Sequence, residues 1–296
     1  MPEAAGMIEA TGLTKRLGGR NVVNDVSFRC EPGTVTGFLG PNGAGKTTTM
    51  RMLVGLSAPD AGACTVLERP YGTLDNPGTK VGVLLDASAQ HPGRRGREAL
   101  AVSAQMMGVP PTRVDELLTL VGLDKGAARK RVRQYSLGMR QRLGLAHALL
   151  GDPQVLILDE PANGLDPEGI RWMRGLLRDF ADRGGTVLLS SHLLLEVEAV
   201  ADRLLIIGNG QIVAAGSSEE LLAGSGMLVR ATDDDALEAA LDGLSYQRLE
   251  SGFLVEAAAE EIGRAALAGQ VVLTHLGPSE GAGLEQLFFD LTEAPA

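Results

Sequence analysis

Lys46 and Thr47 close a glycine-rich run, Gly40-Pro41-Asn42-Gly43-Ala44-Gly45-Lys46-Thr47-Thr48. The run fits the pattern G-x-x-x-x-G-K-[ST], with Gly40, Gly45, Lys46 and Thr47 at its fixed positions. These residue types suit the binding of phosphate. Glycine lets the backbone wrap closely enough for successive N–H groups to face one set of oxygens. A helix N-terminus adds its partial positive charge at the same spot. A lysine there supplies a full charge between β- and γ-phosphates, and the Thr47 hydroxyl can ligate Mg²⁺. The flanks agree: residues 34–39 read as a short buried strand and 48–54 as the first turns of a helix, the context the pattern requires. Gly40 through Thr48 are therefore expected to hold a nucleoside triphosphate.

A second set of chemically useful groups follows the apolar run Val155-Leu156-Ile157-Leu158, which ends in Asp159 and Glu160. Continuous apolar runs of this length suit a strand buried on both faces, and open α/β sheets bind ligands beyond the carboxyl ends of their strands. Alone, a strand ending in two acids means little. After a phosphate loop it places Asp159 in the Mg²⁺ shell and lets Glu160 polarise an attacking water.

Between these two stretches stands Tyr135-Ser136-Leu137-Gly138-Met139-Arg140-Gln141-Arg142, at the start of an apolar helix. The order of motifs resembles that of the ATP-binding cassette ATPases of ABC transporters, whose signature reads roughly LSGGQ. This chain keeps Ser136 and Gly138 and departs from the pattern at Leu137 and Arg140. The resemblance implies that Ser136, Leu137, Gly138 and Met139 cap the γ-phosphate bound by an opposite subunit. It also implies that Pro161-Ala162-Asn163-Gly164-Leu165-Asp166 is the D-loop, with Asp166 as its aspartate, and that His192 is the switch histidine. Two positions differ from the family. Leu17 stands where an aromatic stacks on adenine, and leucine offers apolar contact without stacking. Asp86 stands where a loop glutamine senses Mg²⁺ and water; a carboxylate can ligate Mg²⁺ directly or through water, and Gln90 is the fallback.

Placing these groups at one edge calls for an alternating chain. Residues 7–13, 22–28 and 34–39 read as strands separated by turn-forming LGGRN and EPG stretches. After a turn-rich β segment at 60–78, a strand is expected at 80–85. Apolar residues at three-to-four spacing predict helices at 99–107, 113–121 and 138–150. Helix 167–183, strand 186–190, helix 193–201, strand 203–207 and a hairpin into 212–215 continue the alternation. The expected fold is α/β: a P-loop NTPase core with a parallel sheet, an N-terminal antiparallel β subdomain, a helical subdomain at about 86–150, and a small α+β C-terminal appendage.

The formal charge of −10 is uneven, because residues 227–296 carry 13 acids against 3 Lys and Arg. That shift marks a boundary, giving an ATP-binding domain at 1–224 and an acidic domain at 225–296. The latter reads as strand 227–231, helix 233–241, strand 246–256, helix 260–267 and strand 271–276. A last segment at 284–292, LEQLFFDLT, is similar to the closing element of ATPases from drug- and antibiotic-exporting systems. Aromatic content of 3% argues against a base-stacking nucleic-acid binder. The N-terminus lacks a basic-then-apolar signal pattern, and Cys30 and Cys64 lack metal-type spacing and read as reduced structural thiols.

The resemblance implies ATP and Mg²⁺ as ligands, a homodimer or heterodimer of ATPase subunits, and a separate transmembrane permease. The place of work would be the cytoplasmic face of the membrane, with export the expected direction and no nucleic acid expected. The exposed-looking cluster Arg94, Arg95 and Arg97 would meet the permease. Residues 125–133 are also basic. A soluble cassette acting on ribosomes or DNA is the alternative, although such chains usually carry two cassettes with a basic linker, or long coiled coils. A low-turnover nucleotide-gated subunit is the other alternative.

Overall fold

The computed structural model describes residues 7–278 apart from 124, 224–226, 250 and 251. Two compact units follow the chain, one to Val213 and one from Ala214. The segment 284–292 lies outside the described residues.

In the first unit, β1 (Ile8–Leu17) and β2 (Arg20–Cys30) form an antiparallel hairpin. Gly18 and Gly19, both at positive φ, make its two-residue turn, which matches the twist of the strands it joins. The chain continues through β3 (Val35–Leu39), α1 (Lys46–Leu53), β4 (Ala61–Val66) and β5 (Val81–Leu84). Helices α2 (Gly96–Met107), α3 (Thr112–Leu120), α4 (Lys125–Arg129) and α5 (Leu137–Ala148) occupy the stretch expected to be helical. Then come β6 (Val155–Leu158), α6 (Pro167–Asp182), β7 (Thr186–Ser191), α7 (Leu194–Glu198), β8 (Arg203–Gly208) and β9 (Gln211–Gly216).

Strand β1 pairs with β2 on one side and β4 on the other, giving a three-stranded antiparallel sheet. A six-stranded sheet runs β5-β6-β7-β3-β8-β9, and its four pairings from β5 to β8 are parallel. Every residue of β3, β6 and β7 is buried, which is why β6 reads as an unbroken apolar run, whereas β3 and β7 also bury Thr36, Thr186, Ser190 and Ser191. Ile8, Leu13, Phe38, Met50 and Ile157, all fully buried, share one core cluster that joins the antiparallel sheet, α1 and the parallel sheet. Cys30 is sealed in this core and its thiol is pushed up to about 12, burial being the main cause.

The second unit begins with α8 (Ser218–Ala223) and continues as β10 (Met227–Ala231), α9 (Asp234–Ala240), β11 (Tyr246–Leu249), β12 (Gly252–Val255), α10 (Ala259–Ala268) and β13 (Leu273–Pro278). Its four strands form an antiparallel sheet in the order β11-β12-β10-β13. Val229, Leu237, Leu241, Phe253, Val255 and Ile262 make its core. One expectation fails here. Residues 246–256 are two strands paired as a hairpin, and Gly252 at φ +134 begins the second. Glu250-Ser251-Gly252 marks the junction of the two strands in the sequence, a turn signal that the reading of one strand passed over.

Candidate functional site

Strands β6, β7 and β3 are neighbours, and their carboxyl ends deliver the acids, the histidine and the phosphate loop to one edge. The loop wraps tightly because Gly45 takes φ +110, where an added Cβ would stand 2.5 Å from the Val22 carbonyl oxygen. It opens directly into α1 at Lys46. Lys46 is buried at 6% exposure; its Nζ donates to the carbonyl oxygens of Gly40 at 2.5 Å and Pro41 at 3.2 Å. Burial pulls its ammonium below the usual lysine range, while Glu160 and Asp159 oppose the shift. Val22, Asn42, Gly43, Gly45, Lys46, Thr47, Thr48 and Glu160 line a cavity of about 290 Å³. Ala44 is buried beneath the loop and its N–H donates to Pro41 O at 3.2 Å.

The Thr47 hydroxyl donates to Asp159 Oδ2 at 2.5 Å. A hydroxyl and a carboxylate held side by side are hard oxygen donors of the kind Mg²⁺ selects. The other Asp159 oxygen accepts from the buried Ser190 hydroxyl. Glu160 sits next to this pair with its backbone at φ +49. A residue with a side chain enters that left-handed region at a cost of about 1–2 kcal/mol, so the surroundings must hold it there. They do so from several sides. Its N–H donates to Ser190 Oγ at 3.0 Å, its carbonyl accepts from Gln141 Nε2 at 2.7 Å, and its Oε2 lies 2.8 Å from His192 Nδ1. Its Oε1 is 3.8 Å from Lys46 Nζ. The structure thus brings Lys46, Thr47, Asp159, Glu160 and His192 into one connected cluster.

Other expected residues lie outside that cluster. Ser136 caps α5, its Oγ accepting from Met139 N–H at 3.2 Å. Leu137 is half exposed and covers Gly164, whose added Cβ would meet Leu137 Cγ at 2.4 Å. A Cβ on Gly138 would stand 2.6 Å from the Gly164 carbonyl oxygen. So the signature stretch and the loop ending at Asp166 touch within one chain. Asp166 itself caps α6, accepting from Gly169 N–H at 2.9 Å. Leu17 is half exposed at the end of β1. Asp86 is exposed, and its carboxylate accepts from the Ser88 N–H at 2.7 Å and the Ser88 hydroxyl at 2.6 Å. Those two bonds hold its carboxyl below the usual aspartate range.

Sequence reasoning passed over Val22, Ser190 and Gln141. Gln141 stands inside the signature stretch, and Ser190 begins the Ser190-Ser191-His192 run, but their partners lie 19 and 30 residues away in the chain.

A family model described as ABC transporter matches residues 23–163. The bacitracin transport ATP-binding protein BcrA of Bacillus licheniformis is 40% identical over 210 residues, covering 70% of this chain and 68% of that protein. The chain belongs to the ATP-binding proteins of ABC transporters. The cassette is also 38% identical over 208 residues to the lantibiotic transport ATP-binding protein SrtF of Streptococcus pyogenes, covering 70% of this chain and 89% of that protein. Its fold matches a dimeric ATP-binding cassette, MJ0796, solved with ADP and phosphate. That match has a TM-score of 0.66, with 21% identity, over 71% of this chain and 98% of the other. The chain is therefore an ABC-type ATPase subunit that binds ATP. Among the described residues, no helix is long and apolar enough to cross a membrane.

Proposed function

We propose that this cassette powers export of an antibiotic-like cargo, hydrolysing ATP at a site in which Glu160 polarises the attacking water. The connected cluster around Glu160 carries the reading. Lys46 supplies positive charge to the β- and γ-phosphates, and loop N–H groups from Gly43 to Thr48 receive their oxygens. As water attacks the γ-phosphorus, its oxygen forms the new bond and the bond to the ADP oxygen breaks. Glu160 draws on the water's proton, and His192 holds the Glu160 carboxylate in place. Bound Mg²⁺ would supply charge neutralisation on the phosphates. Thr47 and Asp159 would hold it; among the described residues no cluster of three or more His, Cys, Asp or Glu is placed to hold a metal alone, so phosphate oxygens and water would complete the shell. Asp86 would join that water shell through Oδ2, since both Ser88 bonds go to Oδ1, and Gln90 is the substitute if it does not.

Ser136, Leu137, Gly138 and Met139 are assigned to a nucleotide on a second copy or a paralogous partner, with Asp166 at the junction. Support comes from the exposure of Ser136 and Leu137 and from the dimeric cassette of the same fold. Leu17 would give the base apolar contact only. The names of the transport relatives support a separate membrane-spanning permease and work at the cytoplasmic face of the membrane. Arg94 and Arg95 are exposed, but Arg95 pairs with Glu98 at 3.5 Å and Arg97 is engaged by Asp115 at 2.8 Å and 2.9 Å, so Arg94 is the leading candidate to meet an acidic permease surface. The acidic unit is assigned a dimer-supporting or regulatory role. Chain 1–224 dimerising and hydrolysing as well as the full chain would reject it.

The deciding experiment is recovery of the tagged chain from mildly solubilised membranes. A polytopic membrane protein coming down with it is the expected result. Ribosomes or DNA, with no membrane protein, would reject the transporter reading.

A further inference from the structure

Two buried side chains grip the two peptide groups that flank the Glu160 Cα. Ser190 Oγ accepts from the Glu160 N–H and donates to Asp159 Oδ1. Gln141 Nε2 donates to the Glu160 carbonyl at 2.7 Å. Gln141 is 3% exposed and Ser190 fully buried. With His192 on the carboxylate, the donor, the acceptor and the side chain of Glu160 are each engaged. Gln141 also belongs to α5, whose cap is Ser136. Five residues along a helix is a rise of about 7.5 Å, short enough for Ser136 and Gln141 to shift as one body.

We propose that Gln141 is a positioning residue that ties Glu160 to the placement of the same chain's signature helix, with Ser190 fixing the peptide group on the other side of the Glu160 Cα. This rests on the reading of Glu160 as the group that polarises water. In a head-to-tail pair, Ser136 of one chain faces the nucleotide held by the other. The Gln141 link then makes each chain's hydrolysis answer to whether its own signature end is seated on the partner's nucleotide. Glu160 needs such a link because its left-handed backbone is not self-supporting. Release of its carbonyl lets the peptide rotate and swings the carboxylate off the water.

The test compares full-length variants for ATP affinity, kcat, KM and thermal midpoint. Gln141→Met keeps the volume and removes the donor. Gln141→Glu donates only while protonated, and burial against the Glu160 carbonyl raises the pKa of such a carboxyl. Expected are a loss in kcat of about 10- to 100-fold for Gln141→Met and Ser190→Ala, the range of a mispositioned catalytic group, with KM and ATP affinity within about twofold of the parent. Gln141→Glu should approach the parent at low pH and fall away as pH rises, a limb absent from the parent. Combining Ser136→Ala with Gln141→Met should cost less than the product of the separate losses.

Parental kcat in Gln141→Met, a pH-independent deficit in Gln141→Glu, or strictly multiplying losses in the double variant would overturn the link. Should the Met variant not fold, the pH profile of Gln141→Glu decides. Glu160→Gln in the same assay separates the two ideas. If it hydrolyses at the parental rate, the reading of Glu160 itself is wrong and the link falls with it. If it is slow while the Gln141 variants are not, only the link fails.

Discussion

Glu160 and Asp86 are both acids just past the ends of neighbouring parallel strands, since β6 and β5 pair from Val81↔Val155 to Leu84↔Leu158. Their surroundings differ sharply. Glu160 is engaged by Ser190, Gln141, His192 and Lys46, whereas Asp86 is exposed and bonded within its own turn to Ser88. The difference follows from sheet position. Strand β6 lies between β5 and β7, while β5 is at the edge. An interior strand end has neighbours on both sides to fix its side chains, and an edge strand end has one. The same division holds across the site. Lys46, Thr47 and Asp159 are knit together by the fold, while Leu17 and Ser136 stand on exposed rims where a ligand or another chain would meet them.

Breaking the knit part should have the largest effect. Lys46→Ala removes the charge that faces the phosphates, and charge-assisted hydrogen bonds of about 1.5–3 kcal/mol translate to roughly 10- to 150-fold weaker ATP binding, measured by equilibrium titration. At the rim, Asp86→Asn is expected to lower kcat by up to about tenfold if the carboxylate enters the metal's water shell, one pKa-unit-sized contribution. An unchanged kcat reassigns that role to Gln90. Leu17→Tyr adds a ring face for the base and should tighten ATP by about two- to tenfold, the equivalent of 0.5–1.5 kcal/mol for aromatic pairing. No change would place the base elsewhere.

The smallest effect concerns stability away from the chemistry. His147 on α5 bonds the Ser103 hydroxyl at 2.9 Å, and burial holds its pKa below the ordinary value. The unfolded chain therefore takes up a proton there first as pH drops. Stability is lost as pH falls through about 6.5, the unfolded value, and on towards the lower folded one. Replacing it by Gln keeps a partner for Ser103 and should flatten the thermal midpoint between pH 7 and 5; an unaltered slope would refute the assignment.

What could be read from the chain alone was whatever is local. The loop from Gly40 to Thr48 announces itself within a few residues, whereas the acids after β6 and the histidine after β7 gain meaning only from their place in a series that starts with that loop. The alternation of strands and helices likewise follows from short-range periodicity. Gln141 and Ser190 were invisible because each matters only through a peptide group brought near by the fold of the sheet. Val22 lines the cavity at the phosphate loop from a strand that reads as ordinary core. The hairpin in the acidic unit was legible in Glu250-Ser251-Gly252, a short turn signal that was passed over.

The backbone of Glu160 carries a consequence for protein engineering. At φ +49, glycine and asparagine sit more comfortably than glutamate, so either should raise thermal stability unless the lost side-chain bonds outweigh the relief. A selection for heat tolerance alone would then drift toward a position where, under the proposed role of Glu160, a gain in stability silences hydrolysis. Stabilised versions of this cassette should be screened for turnover at every round, because melting temperature and activity pull in opposite directions at residue 160.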